Sequence, residues 1–461
     1  MLWTNIKVEE TLGPDLTIYQ TCNRVKRHLN NSRQLPLTIK IIIHTFYEST
    51  CMEDSEHPFH THVVDFSNAT QTLSRVLAEH ISRFKTFHLV ADDFVSIADV
   101  QLHFPHASMP LLESWKVHQT FIEQAFDGEL EDPEDATKLL IPLIPHGWSE
   151  ENSNTMYPNL KNAVFHAVPM AWASFCPRHL HTLNISFLPH EARPTMAELR
   201  RILVANEHTL EELIIQGAAP LDSCEAFEMR GVRSLTLGFV DAGELIPLLM
   251  TMDVPNLSMF SITDLRRGCT SAAYRAFVSY DPIMLDLVIT LLSCLPLDKL
   301  EVLHLRCIAF LPFADQPAFH SPLLAWSHNK LDLQIPLLPM YFFSLMTSLK
   351  DLTLVDPDPT TMHCLNYLPK FNIDPSLLIL PINSLTSLRL VGFNLPLIQL
   401  FLKQRIQAHT SFRPVKEIEF NMPLNWRSRL RFNFALLASE VRTINVPVDK
   451  ATERYLMRRL F

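Results

Sequence analysis

The chain has 461 residues, of which 47% are hydrophobic and 19% are charged, and its formal net charge is -10 at pH 7. This composition excludes a disordered chain and predicts a protein with a large buried core. The negative charge disfavours a nucleic-acid-binding surface. The nine glycines disfavour glycine-rich phosphate loops and dinucleotide folds, which need backbone conformations that only glycine adopts without strain.

The first residues predict no secretory signal peptide. The opening M-L-W-T-N-I-K-V-E-E lacks the basic and apolar regions of a secretory signal peptide. The eight cysteines are scattered without a C-x-x-C pair and are predicted to be reduced thiols. The longest apolar stretch, Ile283 to Leu297, contains Asp286 and is too short to span a bilayer. We therefore expect a cytoplasmic or nuclear protein with no membrane partner.

Three histidines in H-P-F-H-T-H are the best candidates for metal ligands. They are His57, His60 and His62, with Cys51 upstream, and imidazoles do ligate zinc and other transition metals. Their spacing matches no established zinc motif. The chain also has no G-x-S-x-G elbow, no P-loop and no H-E-x-x-H helix. We predict no metal, no cofactor, no catalytic residue and no enzyme activity.

A strand pattern of the form apolar-x-x-apolar-x-apolar recurs along the chain. Its clearest copies are L-E-V-L-H-L from Leu300, L-K-D-L-T-L from Leu349 and L-T-S-L-R-L from Leu385. Looser copies start at Phe84, Leu112, Leu160, Leu180, Leu210, Val232, Leu257, Val415 and Val441. The copies from Leu160 to Leu257 start 20, 30, 22 and 25 residues apart, near the period of leucine-rich repeats. Later gaps of 43, 49 and 36 residues indicate insertions or degenerate repeats.

These copies predict an α/β fold, an irregular leucine-rich-repeat solenoid. A curved parallel sheet would form its concave side, and helices and loops its convex side. The apolar residues at the fourth and sixth positions would point inward and stack on those of neighbouring coils. Helical patterns run from Thr70 to Ser82, Thr195 to Glu207, Leu285 to Cys294 and Leu395 to Ala408. Thr195 is the predicted N-cap of the second helix, because Glu198 completes a capping box.

Two regions are predicted: an N-terminal cap over residues 1–66 and the solenoid over residues 67–461, with an acidic insertion near 123–155. Glu123 to Asp135 contains seven acidic residues and no basic one. We interpret it as a solvated surface loop, with recognition of a basic partner as the alternative. The proline-rich stretch from Leu311 to Met340 is either a degenerate coil or a packed loop.

The C-terminal region is rich in arginine. Alternation in W-R-S-R-L-R-F, which contains Arg427, Arg429 and Arg431, predicts a terminal strand with one solvated face. Binding of nucleic acid or acidic lipid is the alternative, and the overall charge opposes it. Ala451 to Phe461 is predicted to cap the end of the stack.

Two N-terminal segments carry a family resemblance. They are L-W-T-N-I-K-V from Leu2 and R-H-L-N-N-S-R-Q-L-P-L-T-I-K-I from Arg27, and they resemble the segment that follows the F-box in fungal F-box/leucine-rich-repeat proteins. In that family a tryptophan-containing strand closes the F-box, and a helix ending in a serine-containing turn leads to a Pro-Leu-x-Ile strand. The matching residues are Trp3, Ser32, Pro36, Leu37 and Ile39. The F-box would precede Trp3, so the chain is expected to start at the C-terminal edge of that element.

The resemblance implies a substrate-recognition subunit of a Skp-cullin-F-box ubiquitin ligase, in which the repeat surface holds an unidentified target protein and the F-box contacts Skp. The alternative is a free-standing leucine-rich-repeat scaffold, and an F-box encoded upstream would distinguish the two. In both cases the strand residue between the two inward positions would face the partner. These candidate binding residues are Lys116, Asn184, Ile214, Thr236, Ser261, His304, Thr353, Arg389 and Glu419.

Overall fold

The computed structural model describes residues 4–11, 17–44, 70–92, 94–101, 104, 108–120, 157–265, 282–308, 342–355, 384–391, 417–421 and 442–444. Contacts divide the chain into two compact units, Met1–Val232 and Arg233–Phe461. Several predicted features lie outside the described residues: the boundary between residues 66 and 67, the acidic insertion near 123–155, the stretch from Leu311 to Met340, the helix from Leu395 to Ala408, the C-terminal arginines and the final cap.

The first unit is a mixed α/β structure built on a parallel sheet. Its strands pair in chain order, each parallel to the next. They are β1 (Asn5–Thr11), β2 (Leu37–His44), β3 (Phe84–Ala91), β4 (Ser114–Gln119), β5 (Asn162–His166), β6 (Thr182–Ser186) and β7 (Glu212–Gln216), followed by the short strand β8 (Phe227–Glu228). The helices are α1 (Thr17–Asn31), α2 (residues 70–78), α3 (Phe94–Gln101) and α4 (Met196–Val204), with 3-10 turns at Ile81–Arg83 and His190–Ala192.

The apolar pattern explains where these strands lie. Each copy that starts between Phe84 and Leu210 forms one of the strands β3 to β7, so these predicted strands are confirmed. The inward positions are aligned by the register: Leu183 of β6 lies opposite Leu213 of β7, and both are 0% exposed. Because no single strand could bury such side chains alone, adjacent strands share one apolar layer.

A helix, a serine-containing turn and a strand follow one another near the N-terminus. Helix α1 ends at Asn31, and the Ser32 hydroxyl donates to the Leu29 carbonyl oxygen at 2.6 Å. The Arg83 guanidinium donates to the Ser32 hydroxyl at 2.5 Å and to the Leu35 carbonyl oxygen at 3.1 Å. Two segments distant in sequence are thereby joined just before β2 begins at Leu37.

Helix α4 has the predicted capping box. The Glu198 backbone N–H donates to the Thr195 hydroxyl oxygen, and the Thr195 N–H donates to the Glu198 carboxylate at 2.8 Å. The helix ends at Val204, earlier than predicted, and the Asn206 side-chain amide donates to the Ile202 carbonyl oxygen at 2.7 Å. This side-chain bond satisfies a carbonyl in the last turn, so the helical path need not continue.

The second unit is also mixed α/β with a parallel sheet. Seven strands pair side by side in chain order. They are β9 (Ser234–Phe239), β11 (Met259–Asp264), β12 (Val302–Arg306), β13 (Asp351–Val355), β14 (Ser387–Val391), β15 (Glu417–Asn421) and β16 (Arg442–Ile444). The short strand β10 (Met252–Asp253) lies between β9 and β11 in the sequence. The helices are α5 (Leu245–Thr251) and α6 (Pro282–Cys294), residues 342–344 are helical, and 3-10 turns lie at Ala242–Glu244 and Leu297–Lys299.

The predicted strands of the second unit are confirmed as well. Every copy that starts from Val232 onward contains or directly precedes one of these strands. Leu303, Leu352 and Leu388 lie opposite one another on β12, β13 and β14, each at most 1% exposed. Helix α6 begins three residues earlier than predicted, at Pro282, a residue whose fixed φ suits the first turn of a helix.

The described cysteines are reduced thiols: Cys22 and Cys307 are buried, and Cys176, Cys224 and Cys294 are partly exposed. Among the residues described, no helix combines the length and the apolar character that crossing a bilayer requires.

Candidate partner-binding surface

The predicted binding residues of the first unit lie in one line across its sheet. Asn184 of β6 lies opposite Ile214 of β7. Val164 of β5 lies opposite Asn184 on one side and opposite Lys116 of β4 on the other. The line continues through His88 of β3, Lys40 of β2 and Lys7 of β1. We call this set, from Lys7 to Ile214, the first row.

The predicted residues of the second unit form a corresponding line, which we call the second row. It runs through Thr236, Ser261, His304, Thr353, Arg389 and Glu419, one residue on β9 and one on each strand from β11 to β15. The side chain of Glu419 is outside the described part of the chain; its backbone position is on the row.

Alternation of burial puts both rows on the open side of their sheets. On β13 the even-numbered residues Leu352 and Leu354 are buried, whereas Thr353 between them is partly exposed. Lys7, Lys116 and Arg389 are exposed. The other row members whose side chains are described are partly exposed. Adjacent members are about 4.8 Å apart across the strands, so each row presents a closely spaced array of side chains.

The first row is basic at its N-terminal end. Lys7, Lys40, His88 and Lys116 occupy consecutive strands. Burial lowers the pKa of His88, and the positive charges of Lys40, Lys116 and His118 lower it further. The low pKa of this imidazole is therefore a consequence of both partial burial and a local excess of positive charge.

A line of histidines borders the first row. His118 of β4 and His166 of β5 lie opposite each other, and their rings stack with centroids 3.9 Å apart. The His166 ring also contacts Phe187, with centroids 4.7 Å apart. Ile42 and Val90 occupy the same line on β2 and β3, so aliphatic side chains lie beside the basic ones.

The second row is electrically mixed. Burial lowers the pKa of His304, and the nearby positive charge of Arg389 lowers it further, whereas the negative charge of Asp351 raises it. Thr236, Ser261 and Thr353 supply hydroxyl groups. This face offers hydrogen-bonding groups and charges of both signs, in contrast to the basic end of the first row.

Four members of the first row were missed by the sequence prediction. Lys7 and Lys40 lie on N-terminal strands that the repeat pattern does not cover, although alternation in L-T-I-K-I puts Lys40 on the open face. His88 and Val164 occupy the fifth positions of the copies from Phe84 and Leu160, so that same pattern was sufficient to identify them.

The predicted absence of a metal site stays a prediction for His57, His60, His62 and Cys51, which lie outside the described residues. Among the described residues, no group of three or more His, Cys, Asp or Glu side chains is arranged to hold a metal ion. Sequence comparison finds no matching protein family and no matching curated protein.

Proposed function

We propose that the chain is a leucine-rich-repeat protein that binds a target protein through the open faces of its parallel sheets, as the substrate-recognition subunit of a Skp-cullin-F-box ubiquitin ligase. The observation that carries the binding role is the alignment of outward residues into the first and second rows. The leucine-rich-repeat class is supported by the coincidence of the apolar copies with parallel strands.

The geometry of the rows favours a macromolecular partner. A row crosses several strands at about 4.8 Å per step, so it extends over tens of ångströms and presents many side chains at once. Stable protein-protein contacts need about 800 Å² on each partner, which calls for an extended surface of this kind and not a small pocket. The varied chemistry along the second row, from Thr236 to Arg389, is also typical of a surface that discriminates among proteins.

The ligase role is supported by the resemblance at the N-terminus. Helix α1, the Ser32 turn and strand β2 succeed one another in the order that the family pattern implies. In such a ligase the ubiquitin chemistry belongs to other subunits, so the function requires no catalytic residue on this chain. Fold alone does not determine function, which is why the test must identify partners.

Affinity purification of the protein from its native cells, followed by mass spectrometry, tests the proposal. We expect Skp and cullin subunits together with a stoichiometric target protein. The variant Thr353→Arg, on the second row, should lose the target and keep the ligase subunits. The matched control is Ile289→Arg, on the exposed side of α6, where the same side chain is introduced away from both rows. Equal target recovery by both variants would contradict binding through the second row.

The second candidate function, a free-standing scaffold, is favoured by the same rows, because they require no ligase subunit to form. It predicts recovery of a target protein without Skp or cullin. Loss of the target in Thr353→Arg would then still identify the open face as the binding surface.

A further inference from the structure

The basic end of the first row is unusual in a chain with a net charge of -10. On β2, β3, β4 and β5, alternation and register assign the open face to Thr38, Lys40, Ile42, Thr86, His88, Val90, Ser114, Lys116, His118, Asn162, Val164 and His166. None of these residues is a carboxylate. Positive charge on this face is therefore not balanced from within it.

The described carboxylates that border this face already have ion-pair partners. Glu9 pairs with Lys7 on β1, and Asp92 lies 3.5 Å from the His44 ring nitrogen. Glu113, before β4, lies 3.6 Å from the ammonium group of Lys85.

The ammonium groups of Lys40 and Lys116, by contrast, form no ion pair or hydrogen bond within the part of the chain that the structure describes. Two ammonium groups are thus left available on one face. A ligand that supplies carboxylates would pair with them without displacing an existing ion pair.

We infer that the open face of β2 to β4 binds an extended acidic segment of the target protein, with one carboxylate at Lys40 and another at Lys116. This inference rests on the proposed function, since it gives the chemical class of the target segment. Lys40 and Lys116 are two strands apart, or about 10 Å. An extended peptide advances about 3.3 Å per residue, so acidic residues spaced three apart would reach both lysines.

The neighbouring side chains define the rest of the segment. Ile42 and Val90 on the adjacent line, and Val164 at the next step of the row, are partly exposed aliphatic residues. They suit apolar side chains placed between and after the acidic ones. A nucleic acid fits less well, because its binding is driven by many phosphate contacts and by stacking on aromatic rings. This face offers aliphatic neighbours and two lysines whose ammonium groups have no ion pair among the described residues.

The experiment selects binders to the intact protein from a displayed library of random peptides and then measures the affinity of selected peptides by fluorescence anisotropy. We expect enrichment of Asp or Glu at a spacing of three residues, with aliphatic residues nearby. Lys40→Glu/Lys116→Glu should weaken binding by about tenfold or more, whereas Lys40→Arg/Lys116→Arg should retain it. Circular dichroism verifies that each variant is folded.

The matched control is Lys26→Glu/Arg27→Glu on the exposed side of α1, which changes the net charge by the same amount. The inference would be overturned if the control weakened peptide binding as much as Lys40→Glu/Lys116→Glu does. It would also be overturned if the selected peptides lacked acidic residues or if no peptide were selected. The inference would likewise be overturned if a mixed-sequence RNA oligonucleotide bound instead of the peptides and if Lys40→Glu/Lys116→Glu abolished that binding.

The outcome is separable from that of the proposed function. Failure of the peptides, with Skp, cullin and a target still recovered from cells, would overturn the acidic-segment inference alone. Recovery of no protein partner would contradict the proposed function, whatever the peptides do.

Discussion

The two units resemble each other on the inward faces of their sheets and differ on the outward faces. In both, aliphatic residues such as Leu213 and Leu303 are 0% exposed and aligned with apolar residues of the next strand. On the outward side, the first row is basic from β1 to β4, whereas the second combines hydroxyl groups with His304 and Arg389.

The difference follows from what each face must satisfy. An inward position must fill space between neighbouring strands, so only apolar residues of suitable volume fit. An outward position must only remain compatible with water, which leaves its charge free to differ between units. The fold is therefore determined by the inward pattern, whereas the outward rows are free to differ in charge.

The largest expected effects come from the inward positions and should be similar in both units. Leu213→Ala in the first unit and Leu303→Ala in the second should each cost about 2 to 5 kcal/mol, because each removes a fully buried side chain and leaves a cavity. Denaturant unfolding measures the loss. The outward neighbour Thr353→Ala is the control and should cost about 0.5 kcal/mol or less. A cost for Thr353→Ala as large as that for Leu303→Ala would contradict the division between the faces.

The first unit contains a buried side-chain amide. The Asn206 side chain accepts from the Leu180 N–H at 2.8 Å and donates to the Pro177 and Ile202 carbonyl oxygens at 2.7 Å each. Asn206→Ala should cost about 3 kcal/mol in unfolding free energy, since it leaves several buried polar groups unpaired. Asn206→Asp should cost at least as much, because a buried carboxylate can accept from Leu180 but would face the Pro177 and Ile202 carbonyl oxygens, to which it cannot donate. Hydrogen exchange at the Leu180 amide provides a local measurement. A uniform loss of stability would not affect this amide more than other buried amides.

The strands could be predicted from the sequence, because their determinants are local. The spacing of Leu300, Leu303 and Leu305 within one segment is enough to define a buried strand face, and the Thr195 capping box is likewise contained in four consecutive residues.

The hydrogen bonds of Asn206 could not be predicted, because Leu180 lies 26 residues away in the sequence. The pairing of Glu9 with Lys7 also depends on the geometry of the folded sheet. Lys7 and, to a smaller extent, the charge of Lys40 lower the pKa of Glu9, but Lys40 forms no ion pair among the described residues. The candidate surface was therefore predicted in position, from the strand pattern, but not in its electrostatic character.

The electrostatic difference between the rows can be measured on their histidines. Lys40→Gln/Lys116→Gln should raise the pKa of His88, because it removes two positive charges that disfavour the imidazolium. The pKa should stay below that of an ordinary histidine, since burial is the larger cause. An NMR titration of the imidazole C–H protons measures the change, and Lys26→Gln, on α1, should leave this pKa unaltered.

The same shift has a consequence for stability. A depressed histidine pKa in the folded state means that the unfolded state binds more protons as the pH falls through the ordinary histidine value of about 6.5. The contribution of His88 to the free energy of unfolding is therefore fully present above that pH and is lost as the pH falls below it. Lys40→Gln/Lys116→Gln should make this loss smaller, which unfolding at pH 7 and pH 5 would detect. An unchanged pH dependence would mean that the two lysines do not act on His88.

The smallest effects are expected at His304, where the neighbouring charges oppose each other. Arg389→Gln should raise the pKa of His304, and Asp351→Asn should lower it, because burial and Arg389 disfavour the imidazolium while Asp351 favours it. The opposite signs make the two substitutions controls for each other in an NMR titration. Movement of the pKa in the same direction in both variants would indicate a change in burial instead of in charge. In the first row, by contrast, Lys40→Gln and Lys116→Gln should each shift His88 upward, so the signs alone distinguish a uniformly basic face from a mixed one.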